Sequence, residues 1–285
     1  MVPPTTTINI QRSRYGDLYF KETAKHHKCI ILPDDHFHNG HRVPRGSLKN
    51  VEDGHIIPRP QPIDFVLHYF NDARELFYID IGANDGITWS NSYALEKYLN
   101  WDGICVDPHP EKFIELSGHR ANKTISSLGR DSILPEKEYP YKCECINACL
   151  SNQSEKVIFR SVHGYANMLS GILDFFDPDQ VDRIDLDIKN HGGFYEDIEI
   201  ECRKLQDICV ERSIKTIDYM SIDCEGAEHE ILKGLDLAIF QPSLISIETS
   251  NDLRDSDSKA INYLLTNNYK LEAKICGDSF FSKKH

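Results

Sequence analysis

The sequence predicts a doubly wound α/β sheet, mostly parallel, closed by an antiparallel terminal strand. From about residue 63 onward, short apolar runs alternate with amphipathic stretches of helical period, the pattern of repeated strand–helix–strand units. Four of those apolar runs end in a carboxylate: Asp80, Asp107, Asp223 and Glu248. The final two runs, 269–275 and 279–282, flank Gly277 with no room for a helix between them, which predicts an antiparallel pair.

Taken in order, residues 1–62 read as a His-containing N-terminal arm or lid. They hold six of the 13 histidines (His26, His27, His36, His38, His41 and His55), several prolines and little periodicity. His36, His38 and His41 have ligand-like spacing, but no helix places two imidazoles on one face, so a polar arm is the better reading. Residues 63–285 form the main domain. A short amphipathic helix is expected over 63–70, a strand over 76–81, and a helix over 90–99 with Ser90 or Asn91 at its N-cap. A second strand over 101–106 and a helix over 110–119, with Pro110 in its first turn, follow. Residues 120–140 read as loop. A third strand over 141–150, a turn at Ser151-Asn152-Gln153 and a strand over 155–162 predict a hairpin in place of a crossover helix. Residues 174–201 carry ten acidic residues against Arg183 and Lys189 and contain Gly192-Gly193. They read as a loop-rich acidic insertion facing water, with acceptor recognition as the sharper alternative. Helices over 204–212, 227–232 and 256–266 then alternate with strands over 217–222 and 243–247.

Composition narrows the function classes. The net charge of −13 is uneven: residues 1–62 hold nine basic against six acidic residues (+3), leaving 23 against 39 (−16) for the rest. So acidic a body repels a phosphate backbone, which disfavours nucleic acid and favours a neutral or cationic substrate. No run approaches the ~20 apolar residues of a membrane span. The opening Met1-Val2-Pro3-Pro4 lacks a basic and then apolar leader pattern, so a cytoplasmic protein is expected. Of the nine cysteines, Cys143, Cys145 and Cys149 come closest to a cluster but lack a second pair, which predicts reduced thiols rather than zinc.

The carboxyl edge of such a sheet is where ligands bind, and four acidic strand ends on it point to a site. In Asp80-x-Gly82-x-Asn84-Asp85-Gly86 the glycines permit close backbone approach. The leading carboxylate opposes a pyrophosphate and favours a ligand with a cationic end. Asp107 stands where an acidic residue accepts both ribose hydroxyls in nucleotide folds. A cationic, ribose-bearing ligand points to S-adenosyl-L-methionine. The competing structural roles are caps: Asp80 for the following turn, Asp107 for the helix after Pro108.

Four blocks carry a specific resemblance. They are Phe77–Gly86 with Ser90-Asn91-Ser92-Tyr93-Ala94-Leu95-Glu96-Lys97, Trp101-Asp102-Gly103-Ile104-Cys105-Val106-Asp107-Pro108, Ala148-Cys149-Leu150-Ser151, and the segment from Ile217 through Asp223-Cys224-Glu225-Gly226-Ala227-Glu228. With these the sequence resembles the FkbM family of S-adenosylmethionine-dependent O-methyltransferases from about residue 63 to the C-terminus. The resemblance implies a class I methyltransferase (Rossmann-like) fold. It assigns Asp80, Gly82, Asn84 and Gly86 to the methionine and ribose side of the cofactor and Asp107 to the ribose hydroxyls. Asn147 and Ala148 fall where adenine lies. The family commonly has glutamate where this chain has Asp107, a shorter carboxylate that still reaches the diol. The arm and the acidic insertion are not family hallmarks.

On this reading Asp223 and Glu225 face the methyl group. Asp223 is expected to act as base or acceptor-orienting group, Glu225 to support it, and His229 is a weaker candidate. Asp223 with Glu248 or Asp252 offers oxygen ligands for Mg²⁺, without a fixed spacing to settle it. The expected acceptor is a hydroxyl of a sugar, glycan or similar polar small molecule. A non-catalytic cofactor-binding or interaction module of the same fold is the alternative. A nicotinamide-dependent oxidoreductase is disfavoured by the missing phosphate-binding glycines.

Overall fold

The computed structural model describes residues 62–120, 143–249, 255–275 and 277–284, and before them only the backbone of six short strands. Those strands pair as three antiparallel ribbons: Tyr19–Glu22 with Lys28–Ile31, Asp35–His38 with His41–Pro44, and Asn50–Glu52 with His55–Ile57. The lid role of the arm, its histidine cluster, the loop expected over 120–140 and Asp252 lie outside the described residues.

Seven strands make the central sheet. In chain order they are β1 (Phe77–Ile81), β2 (Asp102–Val106), β3 (Cys143–Ile146), β8 (Tyr219–Ile222), β9 (Leu244–Glu248), β10 (Tyr269–Ile275) and β11 (Asp278–Lys283), set across the sheet as β10-β11-β9-β8-β1-β2-β3. The five from β9 to β3 run parallel, and β11 inserts antiparallel between β9 and β10. This is the doubly wound sheet with an antiparallel terminal pair that defines a class I methyltransferase fold. The chain reverses direction across the sheet between β1 and β8, the switch point at which such sheets bind ligands.

Alternation along each strand builds the two layers. Ile79, Ile81, Ile104, Val106, Met220, Ile222, Ile245 and Ile247 point to one side, where α5 (Leu205–Glu211), α6 (Glu228–Lys233) and α7 (Asp255–Thr266) supply Ile208, Ile231 and Leu264. Tyr78, Cys105, Tyr219, Leu244 and Phe280 point to the other. There they meet Phe65 and Val66 of α1 (Pro62–Tyr69), Leu95 and Leu99 of α2 (Tyr93–Leu99), and Leu116 of α3 (Pro110–Arg120). Both faces are covered, which is why these strands read as near-continuous apolar runs. Among the described residues no helix is long and apolar enough to cross a membrane.

The structure corrects the sequence reading in four places. The expected strand over 141–150 splits: β3 stays in the central sheet, whereas β4 (Cys149–Leu150) leaves for a second one. The expected hairpin with 155–162 does not form. Strand β5 (Lys156–Gly164) pairs instead with β7 (Gly193–Arg203), antiparallel over nine residue pairs, while β6 (Gly171–Ile172) flanks β5. The acidic segment is also not loop-rich. Asp177 caps a 14-residue helix, α4 (Pro178–His191), by accepting the Gln180 N–H at 3.0 Å, with Pro178 at the first turn. Ile184 buries that helix against Val162, Ala166 and Leu169. Helix α2 begins at Tyr93, later than expected, with the Ser90 hydroxyl accepting the Tyr93 N–H at 3.0 Å.

Candidate active site

The site lies outside the carboxyl ends of β1, β2, β8 and β9. Hydrogen bonds between neighbouring strand ends fix its loops: the N–H groups of Gly82 and Ala83 donate to the Val106 carbonyl, and that of Asp223 donates to the Ile81 carbonyl. Gly82 sits at φ +81°, and a Cβ there would lie 1.8 Å from the Asp223 carbonyl oxygen. The loop after β1 and the loop after β8 therefore touch through a position only glycine fills. Gly86, at φ +78°, packs on Leu116 and Arg120.

Arg120, fully buried, ties this loop to the rest of the fold. Its Nη1 donates to the Gly86 carbonyl (2.7 Å), its Nη2 to the Tyr78 hydroxyl (2.7 Å), and its Nε to Glu96 Oε2 (2.8 Å). Asp80 lies within β1 rather than at its end; its carboxylate accepts from the hydroxyls of Ser92 and Ser90. Burial raises its pKa above the usual carboxylate range, opposed chiefly by the Ser92 hydrogen bond.

Asp107 follows β2 and is buried. Its Oδ2 accepts the Asn84 N–H at 2.7 Å and its Oδ1 the His109 N–H at 2.8 Å, so each oxygen keeps lone pairs for further donors. Burial pushes this carboxyl up to about 7, against the pull of those two backbone donors. A cleft opens beside it, lined by Gly82, Asn84, Asp107, Ala148, Met168 and Asp223 among others. Asn147 is exposed and outside that lining; its Nδ2 donates to the Asp107 carbonyl at 2.9 Å.

A second, wider cavity adjoins the first along Gly82, Asn84, Met168, Asp223 and Glu225. Its walls carry five carboxylates, from Asp80, Asp223, Glu225, Glu248 and Asp278, with Arg183 reaching in from α4. Strand pairing sets Asp278 directly opposite Glu248. Asp223 is solvent-reached within the cleft yet enclosed by its walls. That enclosure, then the negative charge of Glu248 and Glu225, holds its pKa well above the usual carboxylate range. Glu225, at φ +53°, accepts from Gln180 Nε2 of α4 at 2.8 Å. Oxygens of Asp223, Glu225 and Glu248 lie within 4.8 Å of one another, a donor set able to hold a divalent cation. Glu228 stabilises the turn beneath them: its Oε1 accepts the N–H groups of Cys224 (2.9 Å) and Gly226 (3.3 Å). His229 pairs with Glu230 at 3.0 Å and does not line either cavity.

Of the residues singled out from sequence, the fold gathers Asp80, Gly82, Asn84, Asp107, Ala148, Asp223, Glu225 and Glu248 around the two cavities. Gly86 and Asn147 support that ring from behind. Asp278, Arg183, Gln180 and Arg120 escaped the sequence reading. Asp278 alone left a signal, as the carboxylate opening the last strand after Gly277.

A mostly parallel sheet with a glycine loop after β1, a carboxylate after β2 and an antiparallel terminal pair is the architecture of the class I methyltransferase fold. The chain belongs to the FkbM methyltransferase family: the methyltransferase FkbM domain matches residues 80–271. Among solved structures it is similar to the FkbM methyltransferase of Methylobacillus flagellatus KT, at 14% identity and a TM-score of 0.44, over 79% of this chain and 48% of that one. It thus spans about half the length of that relative. It is also similar to a precorrin-6y C5,15-methyltransferase of Geobacter metallireducens GS-15 (11% identity, 78% and 87% coverage, TM-score 0.39). A third is an S-adenosylmethionine-dependent methyltransferase of Aquifex aeolicus (11%, 77% and 87%, 0.34). No curated protein matches the chain.

Proposed function

We propose that the protein is an S-adenosylmethionine-dependent O-methyltransferase acting on a hydroxyl of a sugar, glycan or similar polar small molecule. The observation that carries this reading is the junction of the two cavities at Asp223 and Glu225, a cleft beside Asp107 on one side and a carboxylate-lined chamber on the other. The residues present fit the cofactor. Gly82 leaves the backbone open to close approach, Asp107 retains acceptor capacity for a diol, and the acidic chamber suits a sulfonium. When bound, the cofactor supplies an electrophilic methyl group on a positively charged sulfur.

The chain's own residues do the rest. Asp107 accepts the ribose hydroxyls while Asn84 and His109 N–H groups hold its carboxylate in place. Asp223 accepts the proton of the attacking hydroxyl, and its raised pKa makes it a stronger base than an ordinary aspartate. Glu225, tied to Gln180, orients the acceptor. In Asp223→Asn we expect intact cofactor affinity and turnover reduced ~100-fold or more, as for loss of a general base. Since the base must be deprotonated, wild-type kcat/KM should rise with pH along a limb displaced above the ordinary carboxylate range. Near-normal turnover in the variant, read as S-adenosylhomocysteine release, would move the catalytic role elsewhere. Tight cofactor binding with no transfer to any acceptor would favour the non-catalytic module.

A second reading follows from the carboxylate trio. Asp223, Glu225 and Glu248 would hold Mg²⁺, which would lower the pKa of the acceptor hydroxyl. Chelation with EDTA separates the two: turnover that survives it supports the base, and turnover lost and restored by Mg²⁺ supports the metal.

A further inference from the structure

We propose that Trp89 is a stacking platform for a pyranose ring in the acceptor chamber, which makes a cyclic sugar, rather than an open-chain polyol, the acceptor. This rests on the O-methyltransferase reading and assigns a specificity residue to it. The chain has two tryptophans. Trp101 is buried at 1% exposure in the core, whereas Trp89 is 55% exposed and lines the chamber with Asp80, Asp223, Glu248 and Asp278. Trp89 is held at φ +58°, a conformation bulky residues rarely adopt and one that persists where the surrounding structure enforces it, as at ligand clamps.

The turn that leads into Trp89 is fixed locally. Asp85 Oδ1 accepts the N–H groups of Ile87 (2.8 Å) and Thr88 (2.7 Å), and its Oδ2 accepts the Thr88 hydroxyl (2.6 Å). That turn continues from Gly82–Gly86, so the indole and the methyl-donor loop are carried on one short segment. An indole beside carboxyl groups complements a sugar ring on both counts. The C–H face of a pyranose covers an aromatic ring, and its hydroxyls pair with carboxyl oxygens. A flexible polyol offers the same hydroxyls but no preformed face, and it pays ordering entropy on binding.

The test uses the full chain with S-adenosylhomocysteine bound, a panel of methyl pyranosides, and sorbitol as the open-chain control. Trp89 supplies the exposed share of tryptophan emission, so pyranosides should shift that emission to the blue in wild type. Neither sorbitol on wild type nor the pyranosides on Trp89→Phe should do so. In turnover, Trp89→Ala should raise acceptor KM about tenfold or more, the scale of losing one ring's burial, with cofactor affinity unchanged and kcat nearly so. Trp89→Phe should recover most of that KM. Emission unmoved by every pyranoside, sorbitol as good an acceptor as the rings, or an unchanged KM in Trp89→Ala would overturn the proposal. If no hydroxyl is methylated at all, the O-methyltransferase reading falls, while the emission titration still decides the platform.

Discussion

One added carbon at position 82 would test how closely the loops after β1 and β8 are locked. The Cβ of Gly82→Ala would lie 1.8 Å from the Asp223 carbonyl, so one of the two loops must move. The φ of +81° adds roughly 1–2 kcal/mol of strain for any L side chain. We expect a lower Tm and a loss of S-adenosylhomocysteine affinity measurable by calorimetry; wild-type affinity would show that the contact is dispensable. This residue was legible in the sequence, because a glycine between a strand-end carboxylate and an Asn has few other uses. Arg120 was not. Its partners Tyr78, Gly86 and Glu96 lie 24 to 42 positions away, and nothing local marks a buried guanidinium.

At the scale of elements, the Arg120–Glu96 pair joins the end of α3 to α2 with both side chains fully buried and 2.6 Å apart. Removing one partner strands the other charge, so Arg120→Met should cost about 3–5 kcal/mol in urea unfolding. The double variant Glu96→Leu with Arg120→Met should regain most of that. A double variant as unstable as the single would mean that the hydrogen bonds to Gly86 and Tyr78, not the ion pair, carry the stability. The missed elements fail for a related reason, distance in sequence. In β7, Ile198, Ile200 and Cys202 alternate with Asp197, Glu199 and Glu201, a strand period hidden under a charge count. Its partner β5 lies across the whole of α4, so local turn chemistry pointed to the wrong neighbour. In α4, Val181, Ile184 and Ile188 have helical spacing behind an Asp177-Pro178 start, and the signal was readable once acidity was set aside.

Across the whole molecule, carboxylates crowd one sheet edge, and the apo protein bears the consequence. Burial pushes Asp107, Asp278 and Glu228 each up to about 7, from an ordinary value near 4. In the fold these groups hold protons that the unfolded chain has released. Stability is therefore fully present below the ordinary range and is lost as pH rises through about 7. Apo Tm should be higher at pH 5.5 than at pH 8, and Asp107→Asn should narrow the gap. Equal Tm values, or a gap the variant leaves untouched, would overturn this. The carboxylates that close apolar runs were visible in the sequence; Asp278 left only the weaker signal of opening the last strand, and Arg183 left none, because it arrives from an excursion off the sheet.

That excursion leaves and rejoins the body at neighbours. Cys149 and Leu150 of β4 pair in parallel with Cys202 and Arg203 of β7, so residues 151–201 depart and return through adjacent strands. They are joined to the core as well, because Phe159 and Ile172 pack in the same buried cluster as the strands of the seven-stranded sheet. They also contribute Met168, Leu169 and Arg183 to the wall of the wider cavity, and Gln180 to Glu225. Part of the wall of the wider cavity is therefore carried by this excursion, and the rest by the sheet edge. On the function proposed above, changes at Met168, Leu169 or Arg183 should alter which acceptor is taken while leaving the loop after β1 in place.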